Sequence, residues 1–235
     1  MIIKDLVLDI LFPKFCVGCG AEGKYICAKC SIFISEAMQV CPNCYNSSFF
    51  GETHQNCIKK YALDGLTSIW DYEGLIKKLI YEIKYNGFAH IINEYVESSF
   101  KLIAKDINRF YPFLSFLYSD NTYISYVPMY LKREKKRGFN QAKLIAQEIG
   151  TVSNRKIVSL LEKTTDIESQ ARFEKEERME NVKNCFSLIN QATSDRQVIL
   201  VDDVFITGAT MRECCKVLKK AGAKKVWGFT LARTA

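Results

Sequence analysis

Two adjacent carboxylates and a hydroxyl-rich glycine turn, in the stretch VILVDDVFITGATM at residues 198–211, are the groups of this chain best suited to chemistry. Val198 to Val201 read as a buried strand. Asp202 and Asp203 stand at its end, the edge where sheets of parallel strands collect ligands. The turn Thr207-Gly208-Ala209-Thr210 runs into a helical pattern, and the first N–H groups of a helix have no internal acceptors. Such a turn cradles a phosphate: backbone N–H groups donate to it, the Thr207 and Thr210 hydroxyls add to them, and Gly208 permits close approach. The carboxylates supply acceptors for two vicinal hydroxyls, or for water on a magnesium ion. A phosphate beside a diol describes a ribose 5-phosphate. A P-loop is excluded, because the Gly-Lys-Ser/Thr ending is absent and no lysine occupies the turn.

A second anion-binding stretch is VPMYLKREKKRGFNQA at residues 127–142. Lys132, Arg133, Lys135, Lys136 and Arg137 follow a strand-ending Val127-Pro128. Their density suits a diphosphate or the phosphates of a nucleic acid. A solvated charge run is the plain alternative.

Seven of the ten cysteines lie between Cys16 and Cys57. With one histidine they form four pairs of equal spacing: Cys16 and Cys19, Cys27 and Cys30, Cys41 and Cys44, His54 and Cys57. Two thiolates on one tight turn bind an ion from one side, and a second pair completes a zinc tetrahedron. The simplest assignment is one Zn2+ on Cys16, Cys19, Cys27 and Cys30 and another on Cys41, Cys44, His54 and Cys57; interleaved pairing stays open. Closed sites of this kind are structural.

The positioning elements follow from periodicity. A chain of 235 residues, 48% hydrophobic, suits one large domain with a small one beside it. Residues 1–60 read as an N-terminal helix and zinc-ribbon-like module, and 61–235 as an α/β domain with a mostly parallel, mixed sheet flanked by helices. Strands are expected over Leu66–Tyr72, Tyr123–Val127, Val198–Val201 and Lys225–Leu231. Helices are expected over Leu75–Lys84, Ile91–Ala104, Gln141–Gly150 and Thr210–Lys220, the last ending at Gly222 with Cys214 and Cys215 as small core residues. The opening MIIKDLVLDILFPKF, interrupted by Asp5 and Asp9, reads as an amphipathic packing helix rather than a leader. The run from Tyr111 is too polar to span a bilayer. A cytoplasmic protein is therefore expected, with a net charge of +7 that suits a phosphate-bearing partner.

VILVDDVFITGAT closely resembles the phosphoribosyl pyrophosphate motif of type I phosphoribosyltransferases. The resemblance implies that Asp202 and Asp203 grip the ribose hydroxyls, that Thr207, Gly208, Ala209 and Thr210 hold the 5-phosphate, and that Mg2+ arrives with the ligand. Together with RGFNQA and the N-terminal cysteine pairs, the motif is similar to the ComF competence family over essentially the whole chain. The family's middle pattern matches at Thr165, Gln170, Arg178, Asn181 and Phe186, and its K-Y-x-G at Lys84, Tyr85 and Gly87. Lys84 and Arg178 thereby join the phosphate-contact candidates, and Asp166 to Glu180 read as a surface hood. The family implies handling of incoming single-stranded DNA in natural transformation, beside the uptake machinery on the cytoplasmic side of the inner membrane. Phe139, Tyr85 and Phe88 are candidates for base stacking. Ile206 stands where purine-salvage enzymes carry an aspartate that acts as a base, which argues against purine salvage. His54 stands where relatives more often show cysteine. No residue is singled out as catalytic. Turnover of a small base or nucleotide, and a zinc-dependent adaptor with a vestigial phosphate site, stand as alternatives.

Overall fold

The computed structural model describes residues 13–85, 91–166, 182–191 and 193–234. Its strands are β1 (Gly65–Asp71), β2 (Thr122–Tyr126), β3 (Leu161–Lys163), β4 (Phe186–Leu188), β5 (Gln197–Phe205) and β6 (Lys225–Arg233). Four of them form a sheet in the order β1-β6-β5-β2, every neighbouring pair parallel, while β3 and β4 form a separate antiparallel pair.

A parallel sheet is covered on both faces, which is why its strands are apolar without interruption. Along β5, Val198 and Leu200 face one cluster with Met211, Cys214, Cys215 and Leu218, and Ile199 and Val201 face the other with Phe113, Phe229 and Leu231. The first cover is α6 (Ala209–Lys220). The second includes α1 (Gly74–Tyr85), α2 (Ile91–Lys105), α3 (Ile107–Leu117) and α5 (Gln141–Ser153). In α1 the buried residues Ile76, Leu79, Ile80 and Ile83 repeat at helical spacing. Each such side chain contributes roughly 1.5–3 kcal/mol on burial.

The length of β5 and the presence of α3 depart from the sequence reading. The strand expected over Val198–Val201 continues through both aspartates to Phe205, with Asp202 opposite Thr230 and Val204 opposite Ala232 of β6. The carboxylates are therefore carried on paired backbone. The helix α3 stood outside the expected elements because Pro112 lies inside it. Burial of Phe110, Phe113, Phe116 and Leu117 outweighs the lost hydrogen bond.

The N-terminal residues contain two knuckles of like form. Cys16 N–H donates to Ala21 and Gly20 N–H to Cys16; likewise Cys41 N–H donates to Asn46 and Tyr45 N–H to Cys41, at 2.8–2.9 Å. Between them, residues 35–39 run along the edge of β1, where Ala37 N–H donates to Ile69, Asp71 N–H to Ser35, and the buried Gln39 amide to Ser68. An exposed strand edge is thus capped by the chain's own N-terminal segment. Among the described residues no helix is long and apolar enough to cross a membrane.

Candidate functional site

The carboxylates follow the last residue of β5 paired with β2, while β5 continues beside β6, and strand alternation sends them to different surroundings. Asp203 receives Lys84 Nζ of α1 at 2.6 Å and the Gln141 amide of α5 at 3.3 Å. The Lys84 and Asp203 side chains are 21% and 10% exposed. Burial opposes ionisation of Asp203, yet the Lys84 ammonium beside it holds the carboxyl below the ordinary carboxylate range. Burial, then the charge of Asp203, pushes Asp202 well above that range. Lys84 is raised in its turn: burial works against its charge and Asp203 more than offsets it.

A chain of contacts continues outward from Asp203. Arg137 donates to Gln141 Oε1 at 2.8 Å and lies 5.6 Å over the exposed Tyr85 ring, which pairs with Tyr81 at 4.7 Å. The stretch RGFNQA supplies the architecture for this. Gly138, at φ 91°, ends α4 (Leu131–Arg137), and buried Asn140 caps α5 by accepting from Ala142 N–H. The Asn140 amide also donates to Val127 at the end of β2. Phe139, half-buried, packs against the core.

The five cations of the basic run all lie on α4, a helix with no buried residue. Arg137 reaches the aspartate network; Arg133 pairs with Asp166 at 2.5 Å. Lys132, Lys135 and Lys136 are exposed. Phe186 is a core residue, and Thr165 is exposed. Gly87, Phe88, Gln170, Arg178 and Asn181, most of the Asp166–Glu180 stretch, and the opening helix through Phe12 lie outside the described residues.

The turn after β5 takes its shape from Gly208, whose φ of 60° places it in the left-handed region just before α6. A Cβ there would lie 2.4 Å from the Phe205 ring. Thr207 Oγ1 accepts from Ala209 N–H at 3.5 Å, and Ala209 and Thr210 open the helix. The carbonyl of Thr207 points at the second knuckle. It accepts from the Tyr45 hydroxyl at 2.6 Å and from Arg212 at 2.6 Å. Arg212 donates further to Pro42 O, at 3.2 Å, and to the Tyr45 hydroxyl. Tyr45 itself is left-handed at φ 65°, a conformation that costs a residue with a Cβ on the order of 1–2 kcal/mol.

Each knuckle belongs to a four-residue group, Cys16, Cys19, Cys27 and Cys30 in one and Cys41, Cys44, His54 and Cys57 in the other, with the ligand atoms of each group within 4.8 Å of one another. The grouping is sequential rather than interleaved. The donor set fits a thiophilic cation. Against the burial that opposes it, backbone N–H groups and Cys30 bring the Cys16 thiol down to about 6. Cys57 is pushed up to about 11, chiefly by Cys44 and then by burial. Thiols this close cannot all ionise without a cation to neutralise them. His54 faces Cys44 with Nδ1, at 3.4 Å, and the Ser47 carbonyl with Nε2, at 3.1 Å. An outer hydrogen bond of this kind orients a metal-bound imidazole.

Gln141, Tyr45 and Arg212 are the site residues that sequence reasoning did not single out. Gln141 lay within a quoted motif. Tyr45 and Arg212 gave no local signal.

Residues 135–234 match the phosphoribosyl transferase domain. The chain is 30% identical over 169 residues to competence protein ComFC of Bacillus subtilis, covering 71% of this chain and 63% of that protein. It is 34% identical over 110 residues to competence protein F of Haemophilus influenzae, covering 46% and 48%. With DNA utilization protein YhgH of Escherichia coli O6:H1 it shares 26% over 216 residues, covering 89% and 90%. The chain thus spans less than two thirds of the first two relatives and nearly all of the third. Its metal-capable cysteine groups, its parallel sheet with a phosphoribosyl transferase domain, and these relatives together make the chain similar to the ComF competence family.

Proposed function

We propose that this chain serves DNA uptake in natural transformation, binding phosphoribosyl pyrophosphate with Mg2+ at the β5–α6 turn and handling single-stranded DNA beside it. The convergence of Asp202, Asp203, Lys84 and the Gly208 turn at one end of a parallel sheet carries this reading. In it, the turn holds the 5-phosphate through backbone N–H groups and the Thr207 and Thr210 hydroxyls, and the two carboxylates meet the ribose hydroxyls. Mg2+, when bound with the ligand, neutralises diphosphate charge. Lys84 shifts from Asp203 to the anion, and Arg137 stands next in line. Each cysteine group holds one Zn2+, residues 1–60 forming the metal module and 61–235 the transferase-type unit. The exposed lysines of α4 and the Tyr81–Tyr85 pair support contact with a nucleic acid strand, lysines for its phosphates and rings for its bases. Relatives named for competence and for DNA utilization support the same role.

Calorimetric titration of the zinc-loaded protein with phosphoribosyl pyrophosphate and magnesium, with and without a short single-stranded oligomer, tests it. Saturable binding that disappears in the Asp202→Asn, Asp203→Asn double variant is expected, and a shift of affinity with DNA measures coupling between the sites. Absence of sugar-phosphate binding, with DNA still bound, points instead to an adaptor on a borrowed fold. A second reading, transfer of the phosphoribosyl group to a small base, is favoured by the Tyr81–Tyr85 pair, which offers a flat ring a place beside Arg137. Turnover against a panel of nucleobases separates the two.

A further inference from the structure

The two knuckles share a hydrogen-bond pattern but differ in the residue that closes the turn. The residue whose N–H closes the turn is left-handed in both: Gly20, at φ 74°, in the first and Tyr45, at φ 65°, in the second. At Gly20 a Cβ would meet nothing within 4 Å, so space does not demand glycine there; glycine simply relieves the strain. In the second knuckle a strained tyrosine is kept, and its side chain is used. The hydroxyl donates to the Thr207 carbonyl and accepts from Arg212, and the ring packs 6.1 Å from Phe205 and 5.4 Å from the Arg212 guanidinium. Arg212 directs its N–H groups to Thr207 O, Pro42 O and the Tyr45 hydroxyl, all of them backbone or knuckle. It therefore acts on the turn through a carbonyl. In a trans peptide the N–H lies opposite the C=O, so pinning Thr207 C=O toward the knuckle aims Gly208 N–H away from it. On its other side the knuckle is tied down by Asn43, whose amide donates to Thr53 Oγ1 at 3.2 Å and Leu63 O at 3.4 Å.

We propose that the second metal group is a brace for the phosphate turn: an ion on Cys41, Cys44, His54 and Cys57 fixes Tyr45, and Tyr45 with Arg212 fixes the Thr207–Gly208 peptide. Metal occupancy at this group then sets the affinity of the turn for a phosphate ester, and the ester in return tightens the metal. The inference rests on the reading that this turn binds the 5-phosphate. Tyr45 and Arg212 are positioning residues in it, and the first metal group has no part.

The test uses the full chain loaded with zinc. Tyr45→Phe keeps the ring and loses only the hydroxyl, so both ions should remain bound and the melting temperature should stay near the wild-type value. Hydrogen exchange of the peptide spanning Gly208 and Ala209 should quicken about 5–10-fold, the worth of one hydrogen bond of this kind. Affinity for phosphoribosyl pyrophosphate should weaken by a similar factor, and His54→Ala, with one ion lost, should do at least as much. In wild type, saturating phosphoribosyl pyrophosphate should make one of the two ions harder to withdraw in a chelator titration, and this protection should vanish in Tyr45→Phe. If wild type does not bind the sugar phosphate, the phosphate reading fails, but exchange still judges the brace. Unchanged exchange in Tyr45→Phe overturns the brace, as does unchanged affinity in a protein that binds the ligand.

Discussion

Asp202 and Asp203 are neighbours in the chain with opposite electrostatics, and their amide variants should move stability in opposite directions. Asp203 is paired with a nearly buried ammonium, so Asp203→Asn leaves Lys84 without its counter-charge and should cost about 2–3 kcal/mol. Burial and the charge of Asp203 raise Asp202 well above the ordinary carboxylate range, so Asp202→Asn removes a carboxyl that resists ionisation and should stabilise the free protein by on the order of 1 kcal/mol at neutral pH. The pH dependence follows the same signs. The folded value of Asp203 is depressed, so its contribution is present above the ordinary value of 3.8 and is lost as pH falls through the depressed one. The folded value of Asp202 is raised, so its contribution is present below 3.8 and is lost as pH rises through the raised one. The advantage of Asp202→Asn over wild type should therefore open as pH climbs above about 4 and close below it. Denaturant unfolding of the two single variants across pH checks this, and equal shifts of the same sign would contradict the assignment.

At the scale of elements, the site depends on how α5 is started. Asn140 satisfies Ala142 N–H with one end of its amide and the Val127 carbonyl with the other, and the next residue is Gln141, the partner of Asp203. Asn140→Ala removes a cap and strands a buried carbonyl, so a loss of about 1–3 kcal/mol is expected, read by thermal unfolding. Because Gln141 moves with the cap, sugar-phosphate affinity should fall too. The elements that were legible in the sequence are those with a buried face and enough length to show a period: β5 through Val198 to Val201, α1 through its four buried isoleucines and leucines, α6 through Met211, Cys215 and Leu218. The basic run hid a helix because α4 buries nothing, and β3 and β4, three residues each, are too short to show alternation. For the site, the acids, the turn and the cysteine pairs were legible because each is a local pattern. Tyr45 lies 162 residues from Thr207 and 167 from Arg212, and no periodicity encodes contacts made only by the finished fold.

Across the whole molecule the net charge of +7 is too small to define a nucleic-acid surface by itself; under the proposed function its distribution around the site does so. The cations that turn inward, Lys84 and Arg137, are engaged with Asp203, Gln141 and Tyr85, while Lys132, Lys135 and Lys136 remain exposed on α4. Under the proposed function, this division separates a sugar-phosphate contact from a strand contact without needing two sites far apart. Each phosphate neutralised on single-stranded DNA contributes about 0.7 to the slope of log K against log salt. Replacing all three lysines with glutamine should therefore lower the magnitude of that slope by about 2 and weaken binding of unrelated sequences alike. Affinity for phosphoribosyl pyrophosphate should stay as in wild type, because Lys84, Arg137 and the Gly208 turn are untouched. A slope that does not change, alongside weakened sugar-phosphate binding, would move the three lysines to the diphosphate and leave the strand to be held elsewhere on the molecule.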